Sequence, residues 1–192
     1  MKKNKLILAS ASPRRSEILN MFGIKFEIFP VDIDETPFKN ESPEIYVKRV
    51  AETKVLEASK NRKGIIIGAD TIVWKNGFLG KPENKADAEN MLKKLSDSSH
   101  FVYSAVSVMD ADNNKKVQTS ISKTMVVFHK LSEEEIALYI QTGEPMDKAG
   151  AYGIQGKGGV FIKEIHGSYY NVVGFPIDLV YKSLKNFGIE LL

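Results

Sequence analysis

The sequence predicts an α/β protein in which helices flank one mixed β-sheet. Short apolar runs typical of buried strands alternate along the 192 residues with segments whose apolar residues recur at helical spacing. No internal repeat, low-complexity tract or linker divides the chain. We therefore expect a single domain over 1–192, with two lobes and a central cleft between them.

Five elements are predicted in the first 70 residues. A short buried run is followed by Ser12-Pro13, which indicates a helix start because proline fits the first helical position. Ser42-Pro43 repeats this signal, and the three isoleucines within 64–68 form another buried run. The predicted strands are 5–9, 24–31 and 64–68, and the predicted helices are 13–22 and 42–59.

The rest of the chain continues the alternation of strands and helices. Asn76-Gly77 between apolar pairs predicts a hairpin, and Ser132 with Glu135 forms a capping box that predicts a helix start. Residues 147–159 are rich in glycine and are predicted to form a loop. The further predicted strands are 100–109, 116–128 and 160–165, and the further helices are 85–95, 132–143 and 176–187.

Composition excludes some classes of function, and the modest net charge disfavours a nucleic-acid binder. The absence of cysteine excludes a disulfide framework, a thiolate nucleophile and a zinc ribbon. The net charge is only +3, whereas nucleic-acid binders commonly carry a dense basic stripe. The apolar run at 6–9 is shorter than the about 7–15 residues of a signal peptide or the about 20 of a membrane helix. We therefore predict a cytoplasmic protein that binds neither nucleic acid nor membrane.

Two arginines stand where a predicted strand turns into a helix. Arg14 and Arg15 follow Ser10 in the first helical turn, where cations oppose the helix dipole and free backbone N–H groups favour an anion. A bound phosphate would reverse that penalty through charge-assisted hydrogen bonds. Incidental arginines on a surface helix explain the pattern equally well.

A lysine and an aspartate also stand out against apolar surroundings. Lys54 falls on the apolar face of the predicted helix 42–59, where it needs an anionic partner unless its amine extends to the rim. Asp70 follows the isoleucine run, at a predicted strand end of the kind where ligands bind in α/β sheets. Partial desolvation there raises a carboxyl pKa toward that of a useful general base. An aspartate that caps Thr71 in a turn is the alternative.

More cations and carboxylates follow at the ends of predicted elements. The hairpin returns Lys81 toward the Asp70 end of its first strand. Asp32, Asp34 and Glu35 offer carboxylate oxygens suited to Mg²⁺, and a solvated loop explains them as well. Fixed cations, a metal ion and a general base together match what the hydrolysis of a triphosphate requires.

The order of these motifs resembles the Maf family of nucleoside triphosphate pyrophosphatases, also called septum-formation inhibitors. The matching segments are Leu8-Ala9-Ser10-Ala11-Ser12-Pro13-Arg14-Arg15, Asp34-Glu35, Lys54, Gly68-Ala69-Asp70-Thr71, Gly80-Lys81-Pro82 and the run 143–156. The resemblance covers nearly the whole chain. It implies an elongated mixed sheet of the inosine-triphosphatase type and hydrolysis between the α- and β-phosphates that depends on a divalent metal, Mg²⁺ or Mn²⁺.

The resemblance also implies roles for individual residues. Asp70 corresponds to the proton acceptor, and the metal is expected at Glu35 and Asp70. The implied substrate-binding residues are Ser10, Arg14, Arg15, Glu35, Lys54 and Lys81. The implied specificity residues are Arg14, Thr71 and Gln155.

Residues 147–156 resemble the subgroup that acts on dTTP and UTP, and a house-cleaning role toward modified pyrimidine nucleotides is compatible with the sequence. Three alternatives stay open. They are a pyrophosphatase for 7-methyl-GTP or damaged purine triphosphates, a non-catalytic nucleotide-binding regulator of septum formation, and a nucleic-acid binder. A homodimer is compatible with the sequence.

Overall fold

A computed structural model describes residues 5–113 and 116–189 of the protein. The strands in this part of the chain are β1 (Leu6–Leu8), β2 (Glu27–Ile28), β3 (Ile65–Trp74), β4 (Phe78–Leu79), β5 (Ser99–Asp110), β6 (Val117–Phe128) and β7 (Ile162–His166). The helices are α1 (Pro13–Met21), α2 (Pro43–Ser59), α3 (Lys85–Leu95), α4 (Glu133–Gln141), α5 (Tyr169–Val173) and α6 (Ile177–Asn186).

The strands form one mixed sheet in the order β2-β1-β3-β5-β6-β7, with β4 paired to β3. β1 runs parallel to both β2 and β3, whereas β4 is antiparallel to β3 and β7 to β6. The mixed α/β class is therefore confirmed. No helix in the described ranges combines the length and apolar character that spanning a bilayer requires.

Local sequence signals account for the ends of several elements. The Ser42 side chain accepts a hydrogen bond from the Ile45 N–H at the start of α2. Both bonds of the predicted capping box are present at α4, between Ser132 and Glu135. Asn76 and Gly77 adopt φ angles of 51° and 144° and connect β3 to β4, as the hairpin prediction requires.

Other predictions of secondary structure were wrong. β3 continues as one ten-residue strand through Asp70, so Asp70 does not stand at a strand end. The β-branched run Thr71-Ile72-Val73 sustains the strand, and no turn signal follows before Asn76. β2 covers only two of the eight residues expected at 24–31, and α5 was not predicted. The start of α1 was predicted correctly, with Ser12 as the N-cap residue and Pro13 as the first helical residue, although the Ser12 side chain makes no capping bond.

The chain divides into two compact units. The first comprises Met1–Asp70, Ser104–Ser122 and Gly174–Leu192, apart from the residues not described, and the second comprises Thr71–Tyr103 and Lys123–Val173. The core of the first unit includes a cluster of Ile7, Ala9, Val55, Ala58, Ile66, Met109 and Ala111. That of the second includes Leu92, Val126, Phe128, Tyr139 and Phe161. The central cleft and the single domain stay predictions.

Candidate active site

Asp70 and Lys54 form a buried ion pair in the first unit. Asp70 lies on β3 and is 6% exposed, and Lys54 lies on α2 and is 7% exposed. Lys54 Nζ donates a hydrogen bond of 2.9 Å to Asp70 Oδ1. The lysine on the apolar helix face therefore has the anionic partner that the sequence required, and its amine does not extend to the rim.

A glycine lets α2 approach β3 closely enough for this pair to form. A Cβ built on Gly68 would lie 2.7 Å from the Ala51 carbonyl oxygen and 2.8 Å from Val55 Cγ1. Any side chain at position 68 would push the helix away from the strand. Gly68 thus sets the distance across which Lys54 meets Asp70.

Glu35 completes the cluster from the segment between β2 and α2. Its Oε1 lies 2.7 Å from Lys54 Nζ, so the lysine bridges two carboxylates. The Glu35 side chain is 50% exposed, whereas that of Asp70 is 8% exposed. The cluster therefore has one buried and one solvent-facing carboxylate on a shared ammonium group.

Arg15 brings a second buried cation to the same strand. Its guanidinium donates to Ser10 Oγ and to the Ala69 carbonyl, both at 2.8 Å, and to the Gly174 carbonyl at 3.2 Å. Lys54 Nζ also lies 3.4 Å from the Ala69 carbonyl. Two cations therefore flank the peptide that leads into Asp70. Arg15 is not the incidental surface arginine of the alternative explanation, because it is only 8% exposed.

Burial and neighbouring charges set the acid–base character of the cluster. Desolvation raises the pKa of the Asp70 carboxyl above its usual range, and Lys54 and Arg15 offset this effect in part. Glu35 raises the same pKa further. Burial also lowers the pKa of Arg15, which the charge of Asp70 partly counteracts. The arrangement can accept a proton at Asp70 beside fixed positive charge.

The donor chemistry at Glu35 and Asp70 fits a divalent cation. Mg²⁺ commonly binds one or two carboxylates and takes its remaining ligands from substrate phosphates and water. The sequence also predicted that Asp32, Asp34 and Glu35 together could bind Mg²⁺, and this prediction was wrong. No group of three His, Cys, Asp or Glu side chains suited to a metal is present in the residues described. Asp34 instead accepts a hydrogen bond of 2.8 Å from the Thr36 N–H in its own loop.

Three residues expected at the site belong to the second unit. Thr71 follows Asp70 on β3 and is partly buried, Lys81 follows β4 and is exposed, and Gln155 is exposed within the glycine-rich run. Arg14, in the first unit, is partly buried on α1 beside Arg15. The roles of these residues stay predictions.

The glycine-rich run is built around a carboxylate that the sequence did not single out. Glu144 accepts hydrogen bonds from Tyr139 Oη at 2.9 Å, the Lys157 N–H at 2.9 Å and the Gly158 N–H at 3.2 Å. A Cβ at Gly156 would lie 2.3 Å from Glu144 Oε1. The run also contains short 3₁₀ turns at Ala149–Ala151 and Lys157–Phe161, where only loop was expected.

The mixed sheet and its flanking helices define an α/β protein of the fold seen in the Ham1 protein from Staphylococcus aureus. The TM-score is 0.52 at 15% identity, over 95% of this chain and 99% of that one. More particularly, the chain belongs to the family of Maf-like proteins, whose model matches residues 5–187. A dTTP/UTP pyrophosphatase from Clostridium novyi is 49% identical over 97% of this chain and 100% of its own. One from Bacillus anthracis is 45% identical over 97% of each chain. The resemblance to the Maf family is confirmed.

Proposed function

We propose that this protein is a nucleoside triphosphate pyrophosphatase that hydrolyses dTTP and UTP, and modified pyrimidine nucleotides, to the monophosphate and pyrophosphate. The observation that carries the proposal is the buried Asp70 carboxylate in contact with Lys54 and close to Arg15. Relatives that are 45–49% identical over nearly their full length are named dTTP/UTP pyrophosphatases, which supports the proposal. A cytoplasmic location goes with the proposal, since free nucleoside triphosphates are found there.

Asp70 acts as the general base in this mechanism. It orients a water molecule in line with the α-phosphorus and accepts a proton from it. The water oxygen forms a bond to phosphorus while the bond from the α-phosphorus to the bridging oxygen breaks, and pyrophosphate leaves with that electron pair. The raised pKa of Asp70 strengthens it as a proton acceptor relative to an exposed aspartate.

The phosphates are held by the cations and hydroxyl of the cluster. Lys54 and Arg15 are already fixed by their protein partners, so their charge is positioned before the substrate binds. The full proposed set of substrate-binding residues is Ser10, Arg14, Arg15, Glu35, Lys54 and Lys81. The proposed base-selecting residues are Arg14, Thr71 and Gln155.

Glu35 and Asp70 would hold the divalent metal ion. When bound, a metal at this position supplies positive charge that neutralises phosphate oxygens. The exposed Glu35 carboxylate is open to solvent, and so to a metal that arrives with the nucleotide. A homodimer remains part of the proposal and is not needed for the chemistry at Asp70.

Pyrophosphate release from a panel of triphosphates tests the proposal. With Mg²⁺ or Mn²⁺ we expect turnover of dTTP and UTP in preference to 7-methyl-GTP and damaged purine triphosphates. The variant Asp70→Asn should lose about 10²–10⁴ in rate while it keeps its fold. Asp178→Asn, an exposed change on α6, is the matched control. Binding without turnover would instead identify a nucleotide-binding regulator.

A further inference from the structure

The segment that carries Glu35 is attached to α2 by a phenol. Glu35 lies between β2 and α2, in a stretch without helix or strand of its own. Tyr46 Oη donates a hydrogen bond of 2.8 Å to the Glu35 backbone carbonyl. Tyr46 is 6% exposed, and the hydrogen bond itself is partly buried. The backbone at Glu35 is therefore held at a fixed position beside the helix.

A second attachment fixes the same segment six residues further along the chain, at Glu41. Arg49 Nε lies 2.7 Å from Glu41 Oε1, and Arg49 Nη2 lies 2.8 Å from Glu41 Oε2, which is a two-point pair. Arg49 Nη2 also donates to the Thr36 carbonyl at 3.1 Å. Glu41 in turn accepts the Phe38 N–H at 2.9 Å. Both ends of the segment 35–41 are thus bonded to residues of α2, because Glu35 accepts from Tyr46 and Glu41 from Arg49.

The same helix holds Glu35 at two points. Tyr46 and Lys54 are eight residues apart on α2, and spacing by multiples of four places both on one helix face. Tyr46 holds the Glu35 carbonyl, and Lys54 holds the Glu35 carboxylate at 2.7 Å. A half-exposed glutamate would otherwise adopt many rotamers, and two anchors on one rigid element remove that freedom.

We propose that Tyr46 is a positioning residue for the reaction, and that with the Arg49–Glu41 pair it keeps the Glu35 carboxylate against Lys54 beside Asp70. Tyr46 itself touches neither substrate nor reacting atoms in this assignment. Its effect passes through Glu35. The inference rests on the proposed function, because it concerns the geometry of the same cluster.

A cycle of two substitutions tests the assignment. Tyr46→Phe removes only the hydroxyl, and Glu35→Gln removes the charge that the hydroxyl positions. We expect Tyr46→Phe to lower kcat for pyrophosphate release from dTTP by about 10-fold, with a smaller change in KM. In the Glu35→Gln background the same change should cost less than about 2-fold, because the two residues act as one unit.

Controls separate positioning from general damage. Tyr181→Phe makes the same chemical change on α6 in the first unit and should leave kcat unchanged. Thermal unfolding of each variant shows whether it is folded. If Tyr46→Phe does not fold, Arg49→Lys replaces it in the cycle, since lysine keeps the charge and loses the two-point geometry.

Two failures are distinguishable. An active wild-type protein in which Tyr46→Phe has no effect, or in which its effect multiplies with that of Glu35→Gln, overturns the positioning role alone. A folded wild-type protein that releases no pyrophosphate from any triphosphate overturns the proposed function, and this inference with it.

Discussion

Acidification should destabilise the second unit through one buried histidine. His100 is 1% exposed, its Nε2 lies 2.7 Å from Tyr152 Oη, and its ring meets those of Phe128 and Tyr152 edge-on. Burial, assisted by the charge of Lys75, lowers the pKa of His100 to about 3. The native state therefore holds this imidazole neutral over most of the acidic range.

The size of the effect follows from the two pKa values. An unfolded chain binds the proton near pH 6.5 and the folded one near pH 3, so stability is undiminished above pH 6.5 and falls between these values. From pH 7 to pH 5 the difference amounts to about 2 kcal/mol in the free energy of unfolding. A protonated His100 would lie against the aromatic rings of Phe128 and Tyr152, where no water can solvate its charge.

Urea unfolding at pH 7 and pH 5 measures this loss. The fluorescence of Trp74, the single tryptophan, reports on the second unit, which also contains His100. His100→Gln keeps a polar group for Tyr152 and does not titrate, so its loss between the two pH values should be smaller by about 2 kcal/mol. His129→Gln, at an exposed side chain, is the control. Equal losses in wild type and His100→Gln would refute the reasoning.

Three further predictions concern the site and the glycine-rich run. Gly68→Ala should lower the free energy of unfolding by about 1–3 kcal/mol and lower kcat, because the new Cβ forces α2 away from β3. Thermal unfolding and turnover check this, and Gly80→Ala is the stability control because a Cβ there has no atom within 4 Å. Glu144→Ala should lower the free energy of unfolding by about 1–3 kcal/mol and speed hydrogen exchange at the Lys157 and Gly158 amides, because both lose their acceptor. Unchanged exchange at these amides would contradict the prediction. In a pH–rate profile, the acid limb of kcat/KM should have its midpoint above the pKa of a free aspartate, which is about 3.9, because burial raises the pKa of Asp70. A lower midpoint would count against Asp70 as the general base.

Elements with local signals were predictable from the sequence. α2 and α4 begin at the serine caps that the sequence shows, and the Asn76-Gly77 turn has the φ angles that these residue types favour. Lys54 was identifiable because a lysine on an apolar helix face conflicts with simple packing. Its conflict is local, although its partners are distant in sequence.

Features that depend on distant partners could not be predicted. Arg15 is oriented by carbonyls 54 and 159 residues away along the chain, and nothing near it in sequence announces these acceptors. The length of β3, which places Asp70 inside a strand, also depends on pairing with neighbouring strands, although the β-branched residues after Asp70 favour its continuation. Tyr46 and Glu144 looked like ordinary helix and loop residues until their partners were placed.

Glu144 has a consequence for how the glycine-rich run meets a nucleotide. The amides of Lys157 and Gly158 already donate hydrogen bonds to the Glu144 carboxylate, so they are not free to bind an anionic ligand. The shape of the run is set when the chain folds, and the entropy of ordering it does not weigh against ligand affinity. In the proposed function the phosphates are held by side chains outside this run, most of them in the first unit.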